Sequence, residues 1–160
     1  MKLFINTDGG ARGNPGPAGI GVLIANEAGE IISRHKEYIG KATNNVAEYR
    51  ALILGLQKAQ KISNFQYQIP NQVHNSPPPP LILRGGEEVE LEIRMDSELI
   101  VRQMQGRYKI KDSGLKLLAE QAFGLIKNFE QVNFIHIPRE QNKEADKLVN
   151  EALDEHLANS

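Results

Sequence analysis

The 160-residue sequence contains no cysteine and no tryptophan. The lack of cysteine excludes disulfide bonds, thiolate metal sites and cysteine nucleophiles. Neither sign of charge dominates, because 19 Lys and Arg stand against 20 Asp and Glu, for a formal net charge of −1. A protein without excess positive charge cannot hold nucleic acid by bulk attraction, so any such contact has to be organised locally.

Long hydrophobic runs are also missing. No apolar stretch approaches the roughly 20 residues of a membrane span, and the one before Asp8 is too short for the core of a signal peptide. We therefore expect a soluble, cytoplasmic monomer with no membrane partner. The length predicts a single domain, and 40% hydrophobic residues suffice for an ordinary core.

Apolar periodicity and turn residues predict the element order βββ-α-β-α-α-β-α. The predicted strands cover residues 2–7, 18–25, 31–39, 89–96 and 131–137, and the predicted helices cover 43–62, 97–105, 112–127 and 142–158. The first strand is expected to stop at Asp8, and Asn45 with Glu48 fits a capping box for the first helix. Hairpins first and helical crossovers later predict an α/β fold, with a mixed sheet whose first three strands are antiparallel and which is flanked by helices.

One segment does not fit this plan. Residues 64–88 hold five of the eight prolines, and a structureless insertion of this length inside a compact domain is uncommon. The simpler interpretation is a surface loop resembling polyproline II. The alternative is a recognition element for a protein or nucleic acid.

Four acidic residues stand at the predicted ends of elements, and each has an ordinary structural explanation. Asp8 with the following glycine can be a turn. Glu48 can complete a helix cap, Asp96 can be an N-cap, and Asp146 can complement a helix dipole. Singly, none of them indicates a function.

Their joint placement indicates a metal site. Asp8 and Asp96 end two strands that can be parallel neighbours, while Glu48 and Asp146 begin helices that can return to the same edge of the sheet. Carboxylates crowded together repel one another unless cations neutralise them. Oxygen ligands without His or Cys favour Mg²⁺ or Mn²⁺, and such a site suggests two-metal hydrolysis.

Four segments in order resemble the motifs of ribonuclease H type 1. They are Thr7-Asp8-Gly9-Gly10 with Gly13-Asn14-Pro15-Gly16-Pro17, Thr43-Asn44-Asn45-Val46-Ala47-Glu48, Met95-Asp96-Ser97-Glu98-Leu99 and Asn142-Lys143-Glu144-Ala145-Asp146-Lys147-Leu148. The similarity covers nearly the whole chain except the 64–88 insertion. It implies a ribonuclease H-like fold, with a mixed five-stranded sheet, and an endoribonuclease that cuts the RNA strand of RNA–DNA hybrids and leaves 3′-hydroxyl and 5′-phosphate ends. The implied cofactor is a pair of Mg²⁺ ions, which Mn²⁺ is expected to replace, and activity on double-stranded RNA is left open.

The resemblance also assigns roles to single residues. Asp8, Glu48, Asp96 and Asp146 become catalytic metal ligands, and Glu48 also meets the RNA 2′-hydroxyl, the group that distinguishes RNA from DNA. The implied substrate-binding residues are Gly9, Gly10, Asn14, Asn44, Asn45 and Ser97. Helix capping is the alternative for Asn44 and Asn45, and a simple turn is the alternative for Asn14.

The sequence departs from the family pattern in the loop before the last helix. Many members carry a His there, whereas this chain has Arg139, as does a subgroup of archaeal and bacterial relatives. Arg139 cannot act as a general base because it stays protonated. We expect it to stabilise charge near the cut phosphate, the alternative being a surface ion pair with Glu140 or Glu144. His136, on the preceding strand, is expected to be a packing residue, the alternative being a catalytic one.

A second departure is the missing basic protrusion with which some members grip the DNA strand. In its place the chain has a short basic run, made of Arg102, Arg107, Tyr108, Lys109 and Lys111. It can bind phosphates or can be a solvated helix face. We expect weaker hybrid binding than in relatives with the protrusion, and an affinity that falls as salt rises.

Other interpretations remain open. An integrase or a proofreading exonuclease can use the same kind of scaffold, although such an exonuclease usually needs two acids one residue apart where this chain has Asp8 followed by glycines. A hybrid-binding module without chemistry is a further possibility. Four intact acids argue against it, because a binding protein has no reason to tolerate their repulsion.

Overall fold

The structure, a computed structural model, describes residues 1–68 and 89–159. The strands are β1 (Lys2–Ala11), β2 (Gly16–Ala25), β3 (Ile31–Ala42), β4 (Glu90–Met95) and β5 (Gln131–His136). The helices are α1 (Asn44–Gln68), α2 (Glu98–Met104), α3 (Ser113–Ile126) and α4 (Lys143–Ala158), with a 3₁₀ turn at Arg139–Gln141. None of the helices in the described part of the chain has the length and apolar character needed to cross a membrane.

The five strands form one mixed sheet in the order β3-β2-β1-β4-β5. The first three pair antiparallel, while β4 is parallel to both β1 and β5. This confirms the predicted fold class. The parallel pairing of β1 with β4 is the feature that matters for the site, because it brings the carboxyl ends of both strands to one edge of the sheet.

Helices cover both faces of the sheet. On one face α1 packs against β1 and β2 and is itself covered by α3. The predicted apolar positions Leu52, Leu56 and Ala59 are fully buried there. On the other face α4 packs against β1, β2 and β3. Its predicted apolar stripe is buried as far as Leu153, but Leu157 is 56% exposed because the helix ends one residue later.

The start of α4 lies very close to the sheet at Gly21. A Cβ atom on this glycine would lie 2.5 Å from the carbonyl oxygen of Ala145, well inside van der Waals contact. Only glycine therefore allows the first turn of α4, which carries Asp146, to approach β2 this closely.

Two predicted boundaries at the site were wrong. The first strand does not stop at Asp8: β1 pairs with β2 as far as Ala11, whereas its pairing with β4 ends at Thr7. Asp8 therefore lies inside a strand that has lost one of its two neighbours. The capping box was wrong as well, because Thr43 Oγ1 accepts the hydrogen bond from the Val46 amide (3.2 Å) and Glu48 lies beyond the first turn.

Two further expectations need correction. The helix α1 runs to Gln68, so residues 64–68 of the predicted insertion are helical. Residues 69–88, which hold its prolines, lie outside the described residues. His136 is exposed, not a packing residue, and it is the last residue of the edge strand β5.

Candidate active site

Three acidic side chains from three elements meet at one edge of the sheet. Asp8 of β1 and Asp96 directly after β4 follow the last parallel pair, Thr7 and Met95. Glu48 reaches them from the second turn of α1. One carboxylate oxygen from each of the three lies within 4.8 Å of the other two. This acidic triad, Asp8, Glu48 and Asp96, can hold a divalent cation.

Gly9 explains why Glu48 comes so close to Asp8. A Cβ atom on Gly9 would lie 2.3 Å from the carbonyl carbon and oxygen of Ala47 and 2.6 Å from the Glu48 nitrogen. The bare backbone lets α1 rest directly on β1. The Gly9 amide then donates a hydrogen bond to the Glu48 carboxyl, which fixes that side chain over the triad.

The triad is an unfavourable arrangement without a cation. Burial, together with the charge of Asp96, raises the pKa of Asp8 to about 7. Burial and the neighbouring Asp8 raise the pKa of Glu48 well above its usual range. Within residues 1–68 and 89–159, the buried Glu48 Oε2 has no hydrogen-bond partner. An oxygen-only donor set with an unsatisfied buried carboxylate oxygen fits a hard divalent ion such as Mg²⁺ or Mn²⁺.

Asp146 stands beside the triad rather than within it. Its carboxylate contacts Asp8 by a side-chain hydrogen bond and further raises the pKa of that group. Asn150, one turn later on α4, donates from Nδ2 to the backbone oxygen of Asp146 (3.1 Å) and to its Oδ2 (3.4 Å). The fourth predicted acid therefore borders the triad from the α4 side.

The acids open into a surface cavity of about 350 Å³. Ten of the eleven predicted site residues line it, namely Asp8, Gly9, Gly10, Asn44, Asn45, Glu48, Asp96, Ser97, Arg139 and Asp146. Asn14 does not line it, but acts through a neighbour: Asn14 Oδ1 accepts from the Asn44 amide (3.0 Å), and Asn44 Oδ1 accepts from the Ala11 amide (2.8 Å). Both asparagines thus use their side-chain oxygens internally, which leaves their Nδ2 groups as donors.

Two arginines border the cavity, in different environments. Arg12 forms an ion pair with Asp154 (2.7 Å) and also donates to Asn150. Arg139 is exposed, and within residues 1–68 and 89–159 it forms no ion pair. The alternative that Arg139 pairs with Glu140 or Glu144 is therefore not realised in this part of the chain, and its charge is available to an anion in the cavity.

The sequence interpretation missed three polar residues of the site. Arg12 and Asn150 line the cavity, and Asn142 is buried behind Asp96. Asn142 lies in the fourth motif and at the predicted start of the last helix, but the sequence assigns it no role of its own. Its burial was the feature that the local pattern could not show.

Comparison with known proteins agrees with this geometry. A reverse transcriptase-like family model matches residues 6–66 and 85–152. The N-terminal RNase H domain of the bifunctional protein Rv2228c from Mycobacterium tuberculosis is 39% identical, with a TM-score of 0.78 over 96% of this chain and 99% of that one. The chain belongs to the ribonuclease H family.

Other relatives come from an archaeon and from compost. RNase H1 of Halobacterium salinarum is 33% identical, with a TM-score of 0.79 over 97% of this chain and 99% of that one. LC11-RNase H1, whose crystal structure is a complex with an RNA/DNA hybrid, is 45% identical, with a TM-score of 0.78 over the same shares. The chain spans about a third of the length of the full-length mycobacterial relative, 36%.

Membership of the ribonuclease H family gives the triad a chemical meaning. The family is metal-dependent, and Asp8, Glu48 and Asp96 are positioned to bind a metal ion. The chain resembles the members that lack the basic protrusion and the loop histidine, since α2 is followed within ten residues by α3 and Arg139 occupies the loop.

Proposed function

We propose that this chain is an endoribonuclease that hydrolyses the RNA strand of RNA–DNA hybrids and leaves 3′-hydroxyl and 5′-phosphate ends. The observation that carries the proposal is the acidic triad at the base of an open polar cavity, with an exposed arginine at the rim. LC11-RNase H1, a relative of nearly the same extent, has been crystallised with such a hybrid.

The donor set supports Mg²⁺ as the cofactor, with Mn²⁺ as a substitute. Asp8, Glu48 and Asp96 would hold the ions, with Asp146 completing the site from α4. Bound ions supply charge neutralisation for the attacking water and for the departing 3′ oxygen. The carboxyls of Asp8 and Glu48, whose pKa values burial raises, would have to release their protons to hold a cation.

The walls of the cavity suit a nucleic-acid duplex. Asn44, Asn45 and Ser97 present polar groups at the rim, and side-chain amides can donate to the base and sugar oxygens of a minor groove. Glu48 is placed to accept a hydrogen bond from a 2′-hydroxyl, which is the group that marks the RNA strand. Arg139 supplies positive charge for the phosphate at the cut.

Additional phosphate contacts are proposed for the basic run after α2. Arg107, Tyr108 and Lys109 are exposed. Within the described residues, neither Arg107 nor Lys109 forms an ion pair. Arg102, in contrast, is engaged by Glu98 at 3.7 Å. The run therefore offers fewer free charges than its composition suggests, in keeping with modest, salt-sensitive binding of a monomer.

A cleavage assay tests the proposal. The purified chain with Mg²⁺ should cut the labelled RNA strand of a hybrid, and mapping of the products should show 3′-hydroxyl and 5′-phosphate ends. Asp8→Asn and Asp96→Asn should abolish cutting, whereas Glu140→Gln, which alters an exposed acid outside the cavity, should not. Parallel assays on double-stranded RNA and single-stranded RNA define the substrate range. Cutting that continues in EDTA, or in both Asp variants, would refute the proposal.

A further inference from the structure

Asn142 occupies the N-cap position of α4 but does not cap the helix. At this position an Asn side chain normally accepts a hydrogen bond from an amide of the first turn. Here no such bond forms, and the side chain turns inward until the residue is only 1% exposed. A buried amide that gives up its local partner needs partners elsewhere.

The side chain finds them on β1 and directly after the end of β4. Asn142 Nδ2 donates to the backbone oxygen of Thr7 (3.0 Å) and to Oδ2 of Asp96 (3.1 Å). Its Oδ1 accepts from Nδ2 of Asn6 (3.1 Å). Both N–H groups and the oxygen of the amide are therefore used, and the opposite orientation of the amide would place donors against donors.

These contacts lie where the parallel ladder ends. Thr7 and Met95 form the last pair between β1 and β4, so the Thr7 oxygen and the Asp96 carboxylate face a gap in the sheet. Asn142 fills that gap with one side chain. It thereby joins the backbone directly before Asp8, the carboxylate of Asp96 and the start of the helix that carries Asp146.

We propose that Asn142 is a positioning residue for the metal site, which holds the Asp96 carboxylate in the orientation that lets the triad bind a cation. The inference rests on the metal site of the proposed function. Carboxylates that bind metals are usually oriented by a hydrogen bond to the oxygen facing away from the ion, and loss of such a partner typically weakens metal binding about 10-fold to 100-fold.

The test is direct metal binding without nucleic acid. In a calorimetric titration with Mn²⁺, Asn142→Ala should bind the ion at least about 10-fold more weakly than the wild type. Asn6→Ala, which removes one partner of Asn142 but keeps both donors, should weaken binding less and in the same direction. In cleavage assays the Mg²⁺ concentration for half-maximal rate should rise in Asn142→Ala, the KM for hybrid should stay unchanged, and the rate should recover at high Mg²⁺.

A stability control separates positioning from simple docking of α4. Leu3→Ala removes a fully buried side chain five residues before Asp8 on the same strand, so it lowers the melting temperature without touching the triad. If Asn142→Ala and Leu3→Ala bind Mn²⁺ equally well, the positioning role is wrong. If the wild type binds Mn²⁺ but does not cut hybrids, the proposed function fails while the role of Asn142 still stands.

Discussion

Asp8 and Glu48 hold their carboxyls against each other in a largely dry environment, each only 7% exposed. One is held by a strand and the other by a helix, and Gly9 makes their approach possible. Ionising both carboxyls at this edge of the sheet is therefore unfavourable when no cation is bound. This relationship has consequences for stability that can be measured without any substrate.

The first prediction concerns the dependence of stability on pH. Burial raises the pKa of Asp8 from 3.8 to about 7, so the folded state holds a proton that the unfolded chain has lost. A raised pKa contributes stability that is fully present below the unfolded value, near pH 4, and that is lost as pH rises through about 7. Glu48 acts in the same direction.

In EDTA, Asp8→Asn should therefore be more stable than the wild type at pH 8, by about 1–3 kcal/mol. At pH 4 the two should differ little. Urea unfolding across this range measures the difference, and Glu140→Gln serves as a control with an exposed acid. A constant difference between Asp8→Asn and the wild type at all pH values would contradict the raised pKa.

The second prediction concerns the cation. At pH 6 a metal ion has to displace a proton from the Asp8–Glu48 pair, whereas at pH 8 Asp8 is already largely ionised. Mg²⁺ or Mn²⁺ should accordingly raise the melting temperature more at pH 8 than at pH 6. Calorimetric titrations in two buffers of different ionisation enthalpy should detect proton release at pH 6. Equal stabilisation at both pH values, with no proton release, would show that the ion binds elsewhere.

Gly9 and Gly10 form a matched pair for a third prediction. Gly9→Ala places a methyl group 2.3 Å from the Ala47 carbonyl, so α1 must move away from β1 and take Glu48 with it. Gly10→Ala meets nothing nearer than a Val149 methyl group at 3.9 Å. We expect Gly9→Ala to lose about 1–3 kcal/mol of stability, by analogy with overpacked cores, and to weaken Mn²⁺ binding. Gly10→Ala should retain both properties, and equal losses in the two variants would contradict the close approach.

The sequence was sufficient to predict the elements whose patterns are local. Alternation in β4 and the apolar spacing in α1 predicted their buried faces correctly, and the hairpin turns followed by crossovers predicted the mixed sheet. Three acids were correctly expected at one edge because parallel strands end together. Asp146 was expected at the same edge, and it contacts Asp8 there from α4, although it is not one of the three acids of the triad.

The predictions that the structure did not bear out have two physical origins. The end of β1 depends on two neighbours that stop at different residues, Thr7 on one side and Ala11 on the other. The capping role expected of Asn45 belongs to Thr43, by a local bond to the Val46 amide, and Asn142, to which no role was assigned, binds partners more than 130 positions away in sequence (Asn6 and Thr7). The end of β1 and the partners of Asn142 are set by tertiary contacts, which no local pattern records, whereas Thr43 and Asn45 were two local candidates for the same cap.

Arg139 supplies a fourth prediction. Its guanidinium borders the cavity and forms no ion pair in the described part of the chain, so it can meet a phosphate of the hybrid. Arg139→Ala should lower kcat/KM about 10-fold, the loss of one charge-assisted hydrogen bond, with Mn²⁺ affinity unchanged. Lys143→Ala removes an exposed cation that does not line the cavity and should have little effect. Arg139→Lys should recover only part of the rate, because an ammonium group cannot form a bidentate contact.

The basic run after α2 is tested by salt dependence. A charge that contacts a phosphate releases a counterion, so each lost contact should reduce the slope of log K against log salt by about 0.9 on a duplex. A variant in which Arg107 and Lys109 are both changed to Ala should therefore show a slope shallower by about 2 if both bind phosphates. Hybrid affinity measured from 50 to 200 mM salt, with the inactive Asp8→Asn background to prevent cutting, gives this slope. Lys58→Ala with Lys61→Ala, on the distant α1 surface, should leave it unchanged. An unchanged slope in the Arg107 and Lys109 variant would show that the run is a solvated surface that does not contact phosphates. The contacts with the hybrid would then come from the cavity rim.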